Sequence, residues 1–226
     1  MSVKYNIGII STLIPHKSYS GADFLYQFTN SLHEHGHRVS CFYFSEFLDD
    51  SLLAMSRDQD HTIKKKIGEK NCFLLNTNNR FAYNSRNKYH AKLNKYVNLI
   101  FDIFHKLKLL FRYSKLLKKK VFDTDMDFYI VYPDATKYCL FNFQNKKMVG
   151  WISHNGYPFF KIDYLFSKKR LFDYLTYKFT KSFYIFLNIR AVSRFYFSFA
   201  SPKFWMYEYK KILGKKLINF SHPAKD

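Results

Sequence analysis

Apolar residues in this chain fall into short runs and helical stripes that take turns along its length. Tyr5–Leu13 is almost continuously apolar, with Ile7, Gly8, Ile9 and Ile10 in succession. Such a run predicts a strand buried on both faces of a parallel sheet, stopped by Pro15. A polar stretch, His16 to Ser20, and Gly21 follow. From Ala22 to His35, Phe24, Leu25, Phe28 and Leu32 recur at helical spacing, and Gly36 stands where a helix carboxyl cap belongs. Val39, Cys41 and Tyr43 then mark a second strand over Arg38–Ser45, completing a βαβ unit whose crossover should be right-handed.

Residues 49–95 are polar, with a Lys64–Lys66 run, one short strand at Cys72–Leu75 and an Asn-rich stretch at Asn76–Asn79. This segment reads as a surface excursion. A long helix is predicted over Asn94–Lys120. Val97, Ile100, Phe104, Leu107 and Phe111 make one apolar stripe, with Asn98, Asp102, His105 and Arg112 on the other side; packing on the sheet and contact with a membrane surface both stay open for it. The basic end, Leu116–Lys120, suits a helix carboxyl terminus. Strands follow at Phe128–Tyr132 (closed by Pro133), Lys147–Ser153, Phe186–Val192 and Lys216–Phe220, with helices at Arg170–Phe183 and from Pro202 to about Lys211. The alternation predicts an α/β fold, a Rossmann-like doubly wound parallel sheet, without internal repeat or linker.

In an open parallel sheet, ligands bind beyond the carboxyl ends of the strands. That rule selects the loops Pro15–Gly21, Pro133-Asp134, His154-Asn155-Gly156 and Ser193-Arg194. Gly21, beside Ser20 and just before a helix, offers amides and a positive dipole end to a phosphate or sugar hydroxyl, or serves only as a turn. There is no G-x-G-x-x-G fingerprint. His154 directly follows a buried strand and carries a proton near neutral pH. It acts on a ligand or caps the strand by hydrogen bonding, and position alone leaves both open. Ser193 lacks the G-x-S-x-G elbow of a hydrolase nucleophile. Asp123, Asp125 and Asp127 lack the glycine and terminal glutamate of a calcium loop and read as a solvated turn. His33, His35 and His37 read as surface residues at a helix end.

Taken in order, Asn6–Ser11, Ser20-Gly21-Ala22, Leu32–Val39, Val149–His154, Ile189–Ser193 and Lys216–Phe220 resemble the amino-terminal domain of GT-B glycosyltransferases, in particular the family-4-like group. The resemblance spans the chain outside residues 47 to 125, which form a variable insertion within a single 1–226 domain. It implies a metal-independent, retaining sugar transfer from a nucleotide-sugar, without a cofactor, to a lipid-linked or envelope glycan. By the same resemblance Gly21, with Ser20, lies near the donor phosphates and His154 near the reacting sugar. Asn155, Gly156, Ser193 and Arg194, at strand ends by the same rule, are the further expected donor- or acceptor-binding residues. Phe220-Ser221-His222 departs from the family's asparagine-glycine, and the chain stops at Asp226 where the donor-binding domain would begin. The expectation is therefore an acceptor-binding half, with the donor domain supplied elsewhere or in trans. The alternative is a non-catalytic membrane-surface or partner-binding subunit of a split transferase.

Composition adds two facts. Aromatic residues make up 21%, too many for a disordered chain. A formal net charge of +20 favours anionic partners. Its 29 Lys accompany abundant Phe, Tyr, Asn and Ile, residues with A/T-rich codons, so base composition offers a second origin for the surplus. The basic residues are dispersed and carry no nucleic-acid motif, so no nucleic-acid partner is expected. The densest basic and aromatic segment, Lys106 to Phe122, is the expected contact with an anionic membrane. It combines Lys106, Lys108, Arg112, Lys115, Lys118, Lys119 and Lys120 with Leu109, Phe111 and Tyr113. No run reaches the roughly 18 apolar residues of a membrane span, and the opening residues lack a secretory pattern. The expected location is the cytoplasm, with the inner face of its membrane as a peripheral site. Cys41, Cys72 and Cys139 lack metal-ligand spacing and read as reduced core thiols.

Overall fold

Ile7 and Ile9 point to one side of the first strand and Gly8 and Ile10 to the other, and helices cover both sides. The structure is a computed structural model describing residues 3–17, 20–44, 60–75, 95–141, 148–152, 195–200 and 217–219, with scattered positions between 174 and 191. Its strands are β1 (Asn6–Ser11), β2 (Arg38–Phe44), β3 (Cys72–Leu75), β4 (Phe128–Val131), β5 (Met148–Ile152), β6 (Phe197–Ala200) and β7 (Leu217–Asn219). They form one sheet in the order β3-β2-β1-β4-β5-β6-β7. Every pairing is parallel. The chain has a Rossmann-like, doubly wound α/β fold.

Helix α1 (Ser20–Glu34) carries the chain from β1 to β2 and seats Leu25 and Tyr26 against Ile7, Ile9, Val39 and Cys41. Gly36 has φ +82°, His37 N–H donates to the Leu32 carbonyl at 3.2 Å, and Gly36 N–H to the His33 carbonyl at 2.9 Å. These bonds close the helix in a Schellman turn, which needs a residue free to adopt positive φ. Beyond β2, a single-turn helix α2 (Lys64–Ile67) buries Ile63 and Ile67 in the same layer. The described part of the predicted excursion thus supplies core residues and an edge strand. Strand β3 has the predicted bounds, Cys72–Leu75.

The opposite face is covered by α3 (Lys95–Lys120). Among its described side chains Leu110, Tyr113, Ser114 and Leu117 are buried, and Val121 just beyond it is buried too. They recur at three and four residues, one face of a helix. Of the predicted apolar stripe, Phe104 is 68% exposed and Phe111 58% exposed, and Leu107 is only half-buried, so the packed face lies beside it. Two apolar stripes run side by side along α3. The one that packs includes a tyrosine and a serine, because Tyr113 fits between Phe44 and Tyr138 at centroid distances of 4.4 and 4.8 Å. The side chains of Val97 and Ile100, and of Asn98, Asp102 and His105, lie outside the described residues.

The strand predicted over Phe186–Val192 is corrected here. Phe186, Arg190 and Ala191 are helical, as are the described positions from Tyr174 to Phe183. The strand at this point of the sheet is β6, whose Phe-Ser-Phe-Ala sequence has the period-two alternation of a strand. A short apolar run such as Phe186–Val192 has no period that separates strand from buried helix. The helix predicted from Pro202 lies outside the described residues.

Candidate functional site

Because all strands point the same way, their carboxyl ends share one rim of the sheet. The direction of winding reverses at β1, which has β2 on one side and β4 on the other. In an open sheet of this kind such a switch point is where a ligand crevice is expected.

The β1 loop is held from several directions. His16 N–H donates to the Ala22 carbonyl at 3.1 Å. Lys17 N–H donates to the His61 carbonyl at 3.0 Å, and Ile63 N–H to the Pro15 carbonyl at 3.1 Å. His16 and Thr62 form an antiparallel bridge, and the His16 ring stacks on His61 at 5.9 Å. Lys17 Nζ lies 5.3 Å from the centroid of the Tyr26 ring. On the neighbouring strand, β4 passes into a 3-10 helix, Pro133–Cys139. Tyr132 N–H donates to the Ile10 carbonyl at 2.8 Å and Ala135 N–H to the Tyr132 carbonyl at 2.9 Å, so this turn is bound to the end of β1.

Ser20 and Gly21 open α1 at this rim, so Gly21 is the second helical residue rather than the residue before the helix. The first turn of this 15-residue helix, with free amides and the positive end of the dipole, lies at the carboxyl rim of the sheet. Asp23 in that turn is occupied along the helix, accepting from Gln27 Nε2 at 3.3 Å. Strand β5 ends at Ile152 on the same rim. His154, Asn155 and Gly156, which follow it, lie outside the described residues, as do Ser193 and Arg194. The strand expected to lead into Ser193 is helical at its described positions, and β6 begins after Arg194.

Two buried residues at this rim are not singled out by the sequence, although His16 lies inside the selected loop Pro15–Gly21. His16 is 3% exposed and Thr62 is fully buried. The Thr62 hydroxyl has no hydrogen-bond partner, a state that costs about 1–3 kcal/mol in a dry interior. His16 looked like one polar residue of a loop, and Thr62 lay in the segment read as a surface excursion. A histidine directly after a strand-stopping proline is the one local signal that was available.

No protein-family model matches the chain, and no curated protein is recognisably similar to it.

The remaining candidates are placed by simple contacts. Asp123, Asp125 and Asp127 are exposed, as expected of a solvated turn. Asp127 ties β4 to β1, accepting from Asn6 N–H at 2.7 Å through its carboxylate. His33 and His35 are exposed, and His37 Nδ1 accepts from Tyr5 N–H at 3.3 Å. Among the described residues, no group of three or more His, Cys, Asp or Glu side chains is arranged to hold a metal ion. No described helix is long and apolar enough to cross a membrane.

On α3, Lys108, Lys115, Lys118, Lys119 and Lys120 are exposed and Arg112 is half-buried; the Lys106 side chain lies outside the described residues. Tyr113, expected among the membrane-facing apolar residues, is instead fully buried, and Leu109 is half-buried. Phe111 stacks on Phe141 at 4.3 Å and still leaves more than half its surface open.

Proposed function

We propose that this chain is the acceptor-side half of a sugar-transferring enzyme, working with a donor-binding domain to move a sugar from a nucleotide-sugar to a lipid-linked or envelope glycan. The observation that carries the reading is the reversal of winding between β1 and β4, with the amino terminus of α1 at its edge. A crevice of this kind suits a phosphorylated, polyhydroxylated ligand, because first-turn amides and the helix dipole stabilise negative charge without a metal. In this reading Gly21 supplies a backbone amide to the donor phosphates, and His154 contacts the donor sugar or the acceptor hydroxyl. The transition state has oxocarbenium character, and stabilising the departing phosphate is the larger electrostatic task. Retention at the anomeric carbon belongs to this reading. His16 stiffens the loop that carries Gly21.

The acceptor half should recognise its glycan without the donor. Titration of the chain with fractionated envelope glycolipids, followed by thermal shift, is the direct assay. Stabilisation by one glycolipid class and indifference to free nucleotide-sugars supports the reading. Stabilisation by nucleotide-sugars alone would assign the chain to the donor side instead.

A second reading, a non-catalytic membrane-surface subunit of a split transferase, is favoured by the outer face of α3. Phe104, Lys108, Phe111 and Lys115 recur at four, three and four residues, and all four are exposed. Each basic residue near an anionic bilayer contributes about 1 kcal/mol, and interfacial burial of the rings adds to it. Both readings bring the chain to the same surface, and only the first requires turnover.

A further inference from the structure

Cys41 on β2 and Cys72 on β3 are register partners, so their side chains leave the sheet on the same face. That face is the layer beneath α1 and α2, where Cys41 is buried and Cys72 is half-buried. The two thiols interact, Cys41 favouring the charged form of Cys72. Strand β3 forms one end of the described sheet, and Phe73 and Leu74 on it are 41% and 40% exposed. Paired strands run about 4.7–4.9 Å apart, within the Cα separation a disulfide spans.

The two thiols differ in character. The interaction with Cys41 pulls the Cys72 thiol below its ordinary range, helped by the Lys64 ammonium and opposed by burial and Glu69. The same interaction, with burial and the Cys72 charge, pushes Cys41 well up. Tyr43 is a further titratable neighbour on this face. One sulfur is therefore reachable and anionic in tendency, and its neighbour is shielded and neutral. A nucleophilic and a resolving thiol differ in the same way.

We propose that Cys72 and Cys41 form a reversible thiol–disulfide couple that fastens edge strand β3 to β2, with a peroxide as oxidant. The Cys72 thiolate attacks one peroxide oxygen, the O–O bond breaks, and the departing hydroxide takes a proton to become water. Cys72 is then a sulfenic acid. Cys41 gives up its proton and attacks the Cys72 sulfur; the S–S bond forms, the S–O bond breaks, and a second water leaves. Two thiols and one hydrogen peroxide give one disulfide and two waters, with two electrons passing from sulfur to oxygen. A dithiol such as thioredoxin's reverses the step.

Peroxide treatment of the full chain, alkylation of remaining thiols and peptide mass mapping test the proposal. The expected result is loss of two of the three free thiols, recovery of a Cys41–Cys72 linked peptide, and full return on dithiothreitol. Cys139 stays alkylatable only after unfolding. In Cys41→Ser, oxidation should stop at a Cys72 sulfenic acid that dimedone traps, and Cys72→Ser should leave Cys41 reduced. Slower hydrogen exchange along β3 after oxidation should accompany the bond. A dimedone adduct on Cys72 in the unaltered chain with no linked peptide, a bond to Cys139 or to a second chain, or unchanged exchange along β3 would each overturn it.

Discussion

Gly8 and Tyr129 are register partners across the β1–β4 junction, and the Tyr129 ring fills the space a Cβ at Gly8 would need. A Cβ there would lie 2.5 and 2.8 Å from ring carbons of Tyr129 and 3.4 Å from Phe42. The ring has nowhere to go. It is fully buried, and its hydroxyl donates to the Val121 carbonyl at 2.7 Å, holding the turn after α3 against the sheet. The close approach at Gly8 therefore fixes how α3 docks beside the switch point.

Gly8→Ala is expected to destabilise the chain by about 1–3 kcal/mol through overpacking. Urea unfolding measures it. In a Tyr129→Val background the added methyl should cost much less, and an equal cost in both backgrounds would refute the contact as its cause.

On α3, Tyr113→Ala should cost about 3–5 kcal/mol, since it empties a site between Phe44 and Tyr138. Phe104→Ala should stay within about 0.5 kcal/mol, as an exposed residue does. Thermal melts of the two variants reverse in rank if the outward stripe is the one that packs.

Alkali should weaken the fold. Burial pushes the Cys139 thiol up to about 12, and burial, then Cys72, Cys41 and Glu69, push Tyr43 up to about 12. Both groups release protons more easily when unfolded. Their stabilisation is complete below the unfolded values and is lost as pH rises through about 12. For Cys139 the loss is at most about 1.4 kcal/mol per pH unit. Urea midpoints between pH 8 and 11 should fall, and more shallowly in Cys139→Ala; an identical slope there would remove Cys139 from the effect.

The sequence was legible where pattern and environment agree. Ile7 to Ile10 read as a doubly buried strand because both faces of β1 are covered, and Leu32 to Gly36 read as a helix end because only glycine fits the turn at little cost. It misled where two patterns compete. Phe104 and Phe111 look more like core residues than Tyr113 and Ser114, yet Tyr113 is the residue with aromatic partners on the sheet side. Phe186 to Val192 is apolar enough for either element. The carboxyl rim of the sheet was legible through the strand ends, where Pro15 and Pro133 stop β1 and β4. His16 and Thr62 were not, because their burial comes from a bridge between segments far apart in sequence.

The proposal that the outer face of α3 meets an anionic membrane is tested with vesicles. Co-sedimentation with vesicles of phosphatidylcholine and phosphatidylglycerol should exceed that with phosphatidylcholine alone and should weaken with salt. Lys108→Glu with Lys115→Glu should reduce it several-fold while the melt is unchanged. Binding indifferent to lipid charge would remove α3 as the contact.

The claim of sugar transfer is tested most directly by deleting the gene and following labelled sugar into the cell's glycolipids and envelope glycans. The account predicts that one glycan disappears, that the unaltered chain restores it, and that His154→Ala, expressed to the same level, does not. A full complement of glycans in the deletion strain, or complete restoration by His154→Ala, would contradict it.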